Sequence, residues 1–311
     1  MRSRGVCLAD FRRVWPYGFL IFSVMCWGGS FIATQVALRG VPPFACAVLR
    51  FAMASVVMLA LHRVLGQTLH LPRRAWRRVV WAAFTGVTMT YALENCALSL
   101  TTALNGSLYI AAMPLLTAVG AIYLLGERML PRQWLGAILA ATGLMLMSGA
   151  NFAVTGIGDA LMALTCVMGA IFGWLTKSLV DDGIPHLVCV TWTFLLGLSG
   201  LMPLAVVEAL WRTEPWQTGY AQWSALAYLA ILCSALCTWM WLRALSYVSV
   251  SVAGLFLYAM PVFTLIFSVP LLGDGISWWA CVNGVIILFG VWLATDAANW
   301  QGNTLKEPAS A

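Results

Sequence analysis

Ten apolar stretches, most of them long enough to cross a bilayer, leave this chain few ways to fold. They run near 15–38, 44–65, 78–98, 102–125, 132–149, 157–178, 187–209, 221–242, 248–272 and 277–296. A helix needs about 20 apolar residues to cross the hydrocarbon. Charged residues make up 9% of the chain, against about 25% in soluble domains. Period-two alternation does not run through the stretches, so a membrane β-barrel is not expected. The chain reads as an all-α polytopic membrane protein with ten transmembrane helices.

The net charge of +6 is distributed as a topology signal, and no nucleic-acid partner is expected from it. Arg2, Arg4, Arg12 and Arg13 precede the first stretch, and Arg63, Arg73, Arg74, Arg77 and Arg78 lie around the connection between the second and third. A cytoplasmic N-terminus puts these on the same side as Arg128, Arg132, Lys177, Arg243 and Lys306, and leaves Arg39 and Arg212 outside. This bias predicts N-in, C-in topology in a bacterial cytoplasmic membrane. The apolar run from Trp15 to Leu38 is too long for a signal peptide and reads as a retained span. Eight of the nine cysteines lie within or beside apolar stretches and read as packing residues. Neither a metal site nor a cofactor is predicted.

A block in the middle of the chain recurs near its end. Ala97-Leu98-Ser99 returns as Ala244-Leu245-Ser246, an offset of 147, and Ala112-Met113-Pro114 returns as Ala259-Met260-Pro261. Leu124-Leu125-Gly126-Glu127 returns as Leu271-Leu272-Gly273-Asp274. Earlier in each half the correspondence is weaker, with Gly40-Val41-Pro42 matching Gly183-Ile184-Pro185 and Phe51 matching Phe194. Five stretches separate equivalent points, so the copies would insert in opposite directions. The expected architecture is two inverted-topology repeats, residues 1–149 and 150–298, followed by a polar cytoplasmic tail, 299–311. Inverted repeats place a solute site where the halves meet.

Two charged residues fall well inside apolar stretches, Arg50 and Glu94. Burying either costs about 2.5–3.5 kcal/mol on insertion scales, so each needs a reason to be there. By helix rise, Arg50 lies about 9 Å and Glu94 about 6 Å below the same outer boundary, close enough in depth to pair. Two readings are open: a structural clamp, or a functional pair in which Glu94 binds a proton or cation and Arg50 a carboxylate. Asn105 and Tyr109 share one face at the start of the fourth stretch. Pro114 and Pro261 interrupt the fourth and ninth stretches at equivalent positions, the pattern that marks a central cavity. Aromatic residues are abundant near it: Trp27, Tyr91, Trp174, Trp192, Trp239, Trp241, Phe256 and Tyr258. Of these, Trp27, Trp174, Trp239 and Tyr258 are the expected solute contacts. The stripe Gly136, Ala140, Gly143 and the looser pair Gly284, Gly290 predict close helix packing or a dimer face, so the chain is expected as a monomer or homodimer.

Taken in order, these motifs resemble the drug/metabolite transporter superfamily, and within it the ten-helix EamA-type carriers. They are Trp27-Gly28-Gly29-Ser30-Phe31, Leu49-Arg50-Phe51, Ala92-Leu93-Glu94-Asn95-Cys96-Ala97-Leu98, Ala112-Met113-Pro114-Leu115, Leu125-Gly126-Glu127-Arg128 and Trp134-Leu135-Gly136. The resemblance covers nearly the whole chain. It implies a five-plus-five inverted repeat that exports or exchanges small metabolites by alternating access. The chain departs from the family at Gln35, where many relatives carry a basic residue, and at Gly273-Asp274-Gly275, which replaces a Gly-Glu-Arg motif.

The leading expectation is a secondary transporter that exports amino acids or similar small solutes, with protons as a candidate coupling ion. The alternative within this class is uptake or exchange of a nucleotide-like or vitamin-like solute. A membrane enzyme is disfavoured because the chain has no H-E-x-x-H or G-x-S-x-G motif and no His deep in a span. A non-transporting scaffold would not need paired proline-broken helices.

Overall fold

The computed structural model describes residues 3–111, 113–147, 156–212, 215–272 and 277–300, and all its regular elements there are helices. Eight helical runs are long and apolar enough to cross a membrane: Trp15–Leu38, Pro43–Leu65, Asn105–Leu125, Ile157–Asp181, His186–Trp211, Tyr220–Ala244, Val250–Pro270 and Trp278–Thr295. The chain is a multi-pass membrane protein.

Five of these runs lie within single helices, the first three being α1 (Ser3–Leu38), α2 (Pro43–Leu65) and α8 (Ile157–Asp181). The third apolar stretch is one continuous helical rod of α3 (Trp76–Ala83), a π-helical segment (Phe84–Met89) and α4 (Thr90–Leu98). Arg77, Arg78, Glu94 and Asn95 dilute its apolar character. The fourth stretch is broken into α5 (Ala103–Ile110) and α6 (Met113–Leu125). The fifth is α7 (Pro131–Met147), whose 17 described residues span about 25 Å. The expected end of this stretch, at 149, lies outside the described residues.

The second half continues with α9 (His186–Trp211) and a rod of α10 (Tyr220–Ala227), a π-helical segment (Tyr228–Leu236) and α11 (Cys237–Ala244). The ninth stretch is α12 (Val250–Phe256), a 3-10 turn (Leu257–Ala259) and α13 (Met260–Leu272). The last is α14 (Trp278–Trp300). Asp274, Lys306 and nearly all of the predicted tail lie outside the described residues.

The local elements keep the sequence offset. Helices α6 and α13 start and stop 147 residues apart, and the π-helical segments of the third and eighth stretches overlap under the same shift. The caps correspond too. Thr102 accepts a hydrogen bond from the Asn105 N–H, and Ser249 accepts one from the Val252 N–H, so equivalent residues start α5 and α12. Both breaks precede a proline, which lacks the N–H that an uninterrupted helix needs.

Helices from the two halves pack against one another: α2 along α9, α4 and α6 on α8, and α1 on α11 and α13. Gly28 permits the last contact, because a Cβ there would come within 2.7 Å of the Phe263 Cβ and 2.9 Å of the Met260 carbonyl. The small-residue stripes meet within this chain. A Cβ on Gly136 would lie 2.5 Å from the Gly290 carbonyl, and one on Gly290 would lie 2.7 Å from the Ala140 nitrogen. Helices α7 and α14 thus touch backbone to backbone.

Two carboxylates tie helix starts in one half to helix ends or loops in the other. Glu127, just after α6, accepts from the Val250 N–H at 2.9 Å, the Ser251 N–H at 3.0 Å and the Ser251 hydroxyl at 2.6 Å. Glu208, late in α9, accepts from the Phe44 N–H at 3.2 Å and the Ala45 N–H at 2.9 Å. Each meets the free N–H groups and positive dipole end of a helix start. Arg78 pairs with Asp182 and donates to the Ser178 hydroxyl at 2.6 Å, joining α3 to the end of α8.

Candidate functional site: a cavity between the halves

Between the helices of the bundle lies a cavity of about 140 Å3, to which the described residues of α7 and α14 contribute no lining. Trp27, Ser30 and Phe31 face it from α1, Arg50 and Phe51 from α2, and Thr90, Tyr91 and Glu94 from α4. From the second half come Phe172 on α8, Phe194 on α9, Thr238 and Trp241 on α11, and Val250 and Gly254 on α12. The walls are predominantly apolar and aromatic.

The broken helices form part of the cavity wall. A proline at 114 has no N–H for the carbonyl of residue 110, and one at 261 has none for residue 257. Ile110 and Leu257 both line the cavity, as do Met113 and Met260 at the starts of α6 and α13. The Leu257 carbonyl is taken up by the Met260 N–H as the 3-10 turn tightens. Pro114 and Pro261 are themselves buried just behind this lining.

Arg50 is 2% exposed, and its guanidinium is held from two sides. Nε donates to the Ser234 hydroxyl at 2.7 Å, and Nη2 lies 3.4 Å from the Tyr91 hydroxyl. The guanidinium carbon stands 4.4 Å from the centre of the Tyr91 ring, in cation–π contact. Nη1 is buried and has no hydrogen-bond partner among the described residues. Glu94, 8% exposed, faces the same cavity. The pairing that the depths of Arg50 and Glu94 allow is not made: the ion pairs among the described residues are Arg78–Asp182 and Lys177–Asp181. Ser234 and Tyr91 fix the guanidinium instead.

Trp27 lines the cavity, its Nε1–H bonded to the Cys233 carbonyl at 2.8 Å. Its ring lies 5.0 Å from that of Trp241, the residue 147 positions after Glu94. The other sequence-predicted contacts lie elsewhere. Asn105 is exposed, and its backbone N–H serves the Thr102 cap. The Tyr109 hydroxyl meets Asp159 in the first turn of α8. Trp174 donates to the Thr117 carbonyl at 3.0 Å and packs against Gly120, joining α8 to α6. Trp239 is tilted against Phe19, their ring centres 6.3 Å apart, with the Arg243 guanidinium 5.7 Å from its ring centre. Tyr258 is 2% exposed, packed into the 3-10 turn behind the lining.

Sequence reasoning passed over Ser234, the residue that orients Arg50, and did not choose Tyr91 or Trp241 among the aromatics. The offset pointed to Trp241, since it maps onto Glu94. Ser234 carried one signal, a hydroxyl in the otherwise apolar run Leu229–Leu236.

The chain matches the EamA-like transporter family twice, over residues 14–149 and 156–295. It is 28% identical over 284 residues to an uncharacterized transporter of Archaeoglobus fulgidus, covering 89% of this chain and 96% of that protein. It is 27% identical over 287 residues to a protein of Streptantibioticus cattleyicolor named a probable terminal-alkyne amino-acid exporter, covering 91% and 93% of the two chains. A solved crystal structure shares the fold, with a TM-score of 0.75 at 22% identity over 91% of this chain and 97% of the other. With both halves matched and the fold shared, the chain belongs to the EamA-like transporter family, within the drug/metabolite transporter superfamily.

Proposed function

We propose that this protein is a secondary active transporter that exports amino acids or related small metabolites across a bacterial cytoplasmic membrane. It works by alternating access between two inverted five-helix repeats, residues 1–149 and 150–298, with both termini cytoplasmic. In this reading the rod Trp76–Leu98 and helix α7 are the third and fifth of ten spans. One observation carries the proposal: an apolar cavity walled by both halves holds an arginine and a carboxylate that do not pair with each other. Leaving the Nη1 group of a buried arginine unsatisfied in a low-dielectric interior is costly, and structure alone gives no return for it. The exporter name of the Streptantibioticus relative supports the direction and solute class. Glu94 is the acidic group lining the cavity, so it is the proposed proton carrier.

The test is counterflow in proteoliposomes over amino acids, purines, polyamines and organic cations, with chemical identification of the recovered solute. The wild type should accumulate amino acids unchanged. Glu94→Gln should abolish that accumulation at near-normal membrane abundance. Flux of purines alone would favour the uptake or exchange alternative, and chemical conversion would indicate an enzyme. No flux of any solute would remove the carrier reading.

A further inference from the structure

Arg50 and Glu94 line one cavity without pairing with each other, and the Arg50 guanidinium has bonding capacity left over. Nε and Nη2 of Arg50 are committed to Ser234 and Tyr91, while Nη1 has two N–H groups and no acceptor among the described residues. An unmet buried donor costs about 1–3 kcal/mol, and more when charged. At low dielectric the two charges attract strongly, yet the guanidinium is anchored on a hydroxyl from the α10–α11 rod and a tyrosine of α4, short of the carboxylate.

We infer that the cavity binds its solute as a zwitterion that bridges these two groups: a carboxylate on Arg50 Nη1 and an ammonium on Glu94. This deepens the carrier reading and rests on it. An α-amino acid carries both charges on adjacent atoms. A simple carboxylic acid would leave Glu94 unsatisfied, and a simple amine would leave Arg50 unsatisfied. Either would also bring a net charge into a cavity whose own charges cancel, whereas the zwitterion would not. The rest of the solute meets Trp27, Phe31, Phe172, Phe194 and Trp241, which favours an apolar or aromatic side chain. Trp241 occupies the position equivalent to Glu94, so a second ammonium finds no second carboxylate there. Diamino acids are therefore disfavoured.

The experiment measures thermal stabilisation of the purified full-length protein by two matched trios. One is L-leucine, L-leucinamide and 4-methylpentanoate; the other is L-phenylalanine, L-phenylalaninamide and 3-phenylpropanoate. At least one amino acid should stabilise the wild type, with both its single-charge analogues about tenfold weaker or worse, the factor expected for about 1.4 kcal/mol. Glu94→Gln should erase the preference for the amino acid over its des-amino acid. Ser234→Ala keeps the Arg50 charge but frees its orientation, and should narrow the preference for the amino acid over its amide. A purely structural role for these residues would weaken all three ligands equally and would overturn the inference. So would equal stabilisation by either analogue, or no response to either amino acid. If the inference fails while counterflow still shows flux of another solute, the carrier reading stands alone; if no solute moves, both fall.

Discussion

The carboxylate of Glu127 accepts three hydrogen bonds from the start of α12, 123 and 124 residues away in sequence. It thereby sets the position of Val250 and Gly254, which line the cavity. A charged cap at a helix N-terminus contributes about 1–2 kcal/mol. Glu127→Ala should lower the melting temperature accordingly, and Glu127→Gln, which keeps an acceptor but not the charge, should recover part of the loss. Equal melting temperatures for all three proteins would show that the cap is energetically idle. In the sequence Glu127 stands out only as part of the recurring block Leu124-Leu125-Gly126-Glu127 and of the motif Leu125-Gly126-Glu127-Arg128. Its partner helix could not be read, because a long-range cap leaves no mark at the position it caps. Arg50 teaches the same lesson from the other side. Its burial was legible from its isolation among apolar residues, but Glu94 was its candidate partner because depth was the only coordinate that sequence supplied. Ser234 took that place through lateral packing, which depth does not constrain.

At the scale of the helix, the breaks before Pro114 and Pro261 were legible because proline removes a specific hydrogen bond. The π-helical segments Phe84–Met89 and Tyr228–Leu236 were not, since no residue type demands the extra residue per turn. Each segment rotates the helix on its C-terminal side. Tyr91, Glu94 and Trp241 thus face the cavity, while Trp239, chosen for its chemistry, faces Phe19 and Arg243. The small-residue stripes were legible as close packing, and the structure supplies their partners within the chain, α7 against α14. Gly136→Val places a side chain where even a Cβ would sit 2.5 Å from the Gly290 carbonyl. Overpacking of this kind costs about 1–3 kcal/mol. The variant should show a lower melting temperature and reduced membrane abundance, whereas Leu135→Val, at an exposed position on the same helix, should leave both near wild type. Equal behaviour of the two variants would mean that α7 and α14 do not depend on this contact.

For the molecule as a whole, helix content and multi-pass character were legible from hydropathy because each spanning helix satisfies its own backbone. The paired proline breaks lie beside the cavity, which Ile110, Met113, Leu257 and Met260 line. Its chemistry was legible only in part, because which of many aromatic residues face inward depends on helix rotation rather than on composition. Helices α7 and α14, the last of their respective halves, stand outside the cavity and grip each other through backbone contacts across the midpoint of the sequence. That grip makes the peptide link between the halves redundant as a tether. Two separately translated polypeptides, 1–150 and 151–311, should find each other in the membrane, co-purify through a tag on either one, and restore flux that neither supports alone. Failure to co-purify would show that covalent continuity, and not the α7–α14 seam, keeps the halves in register.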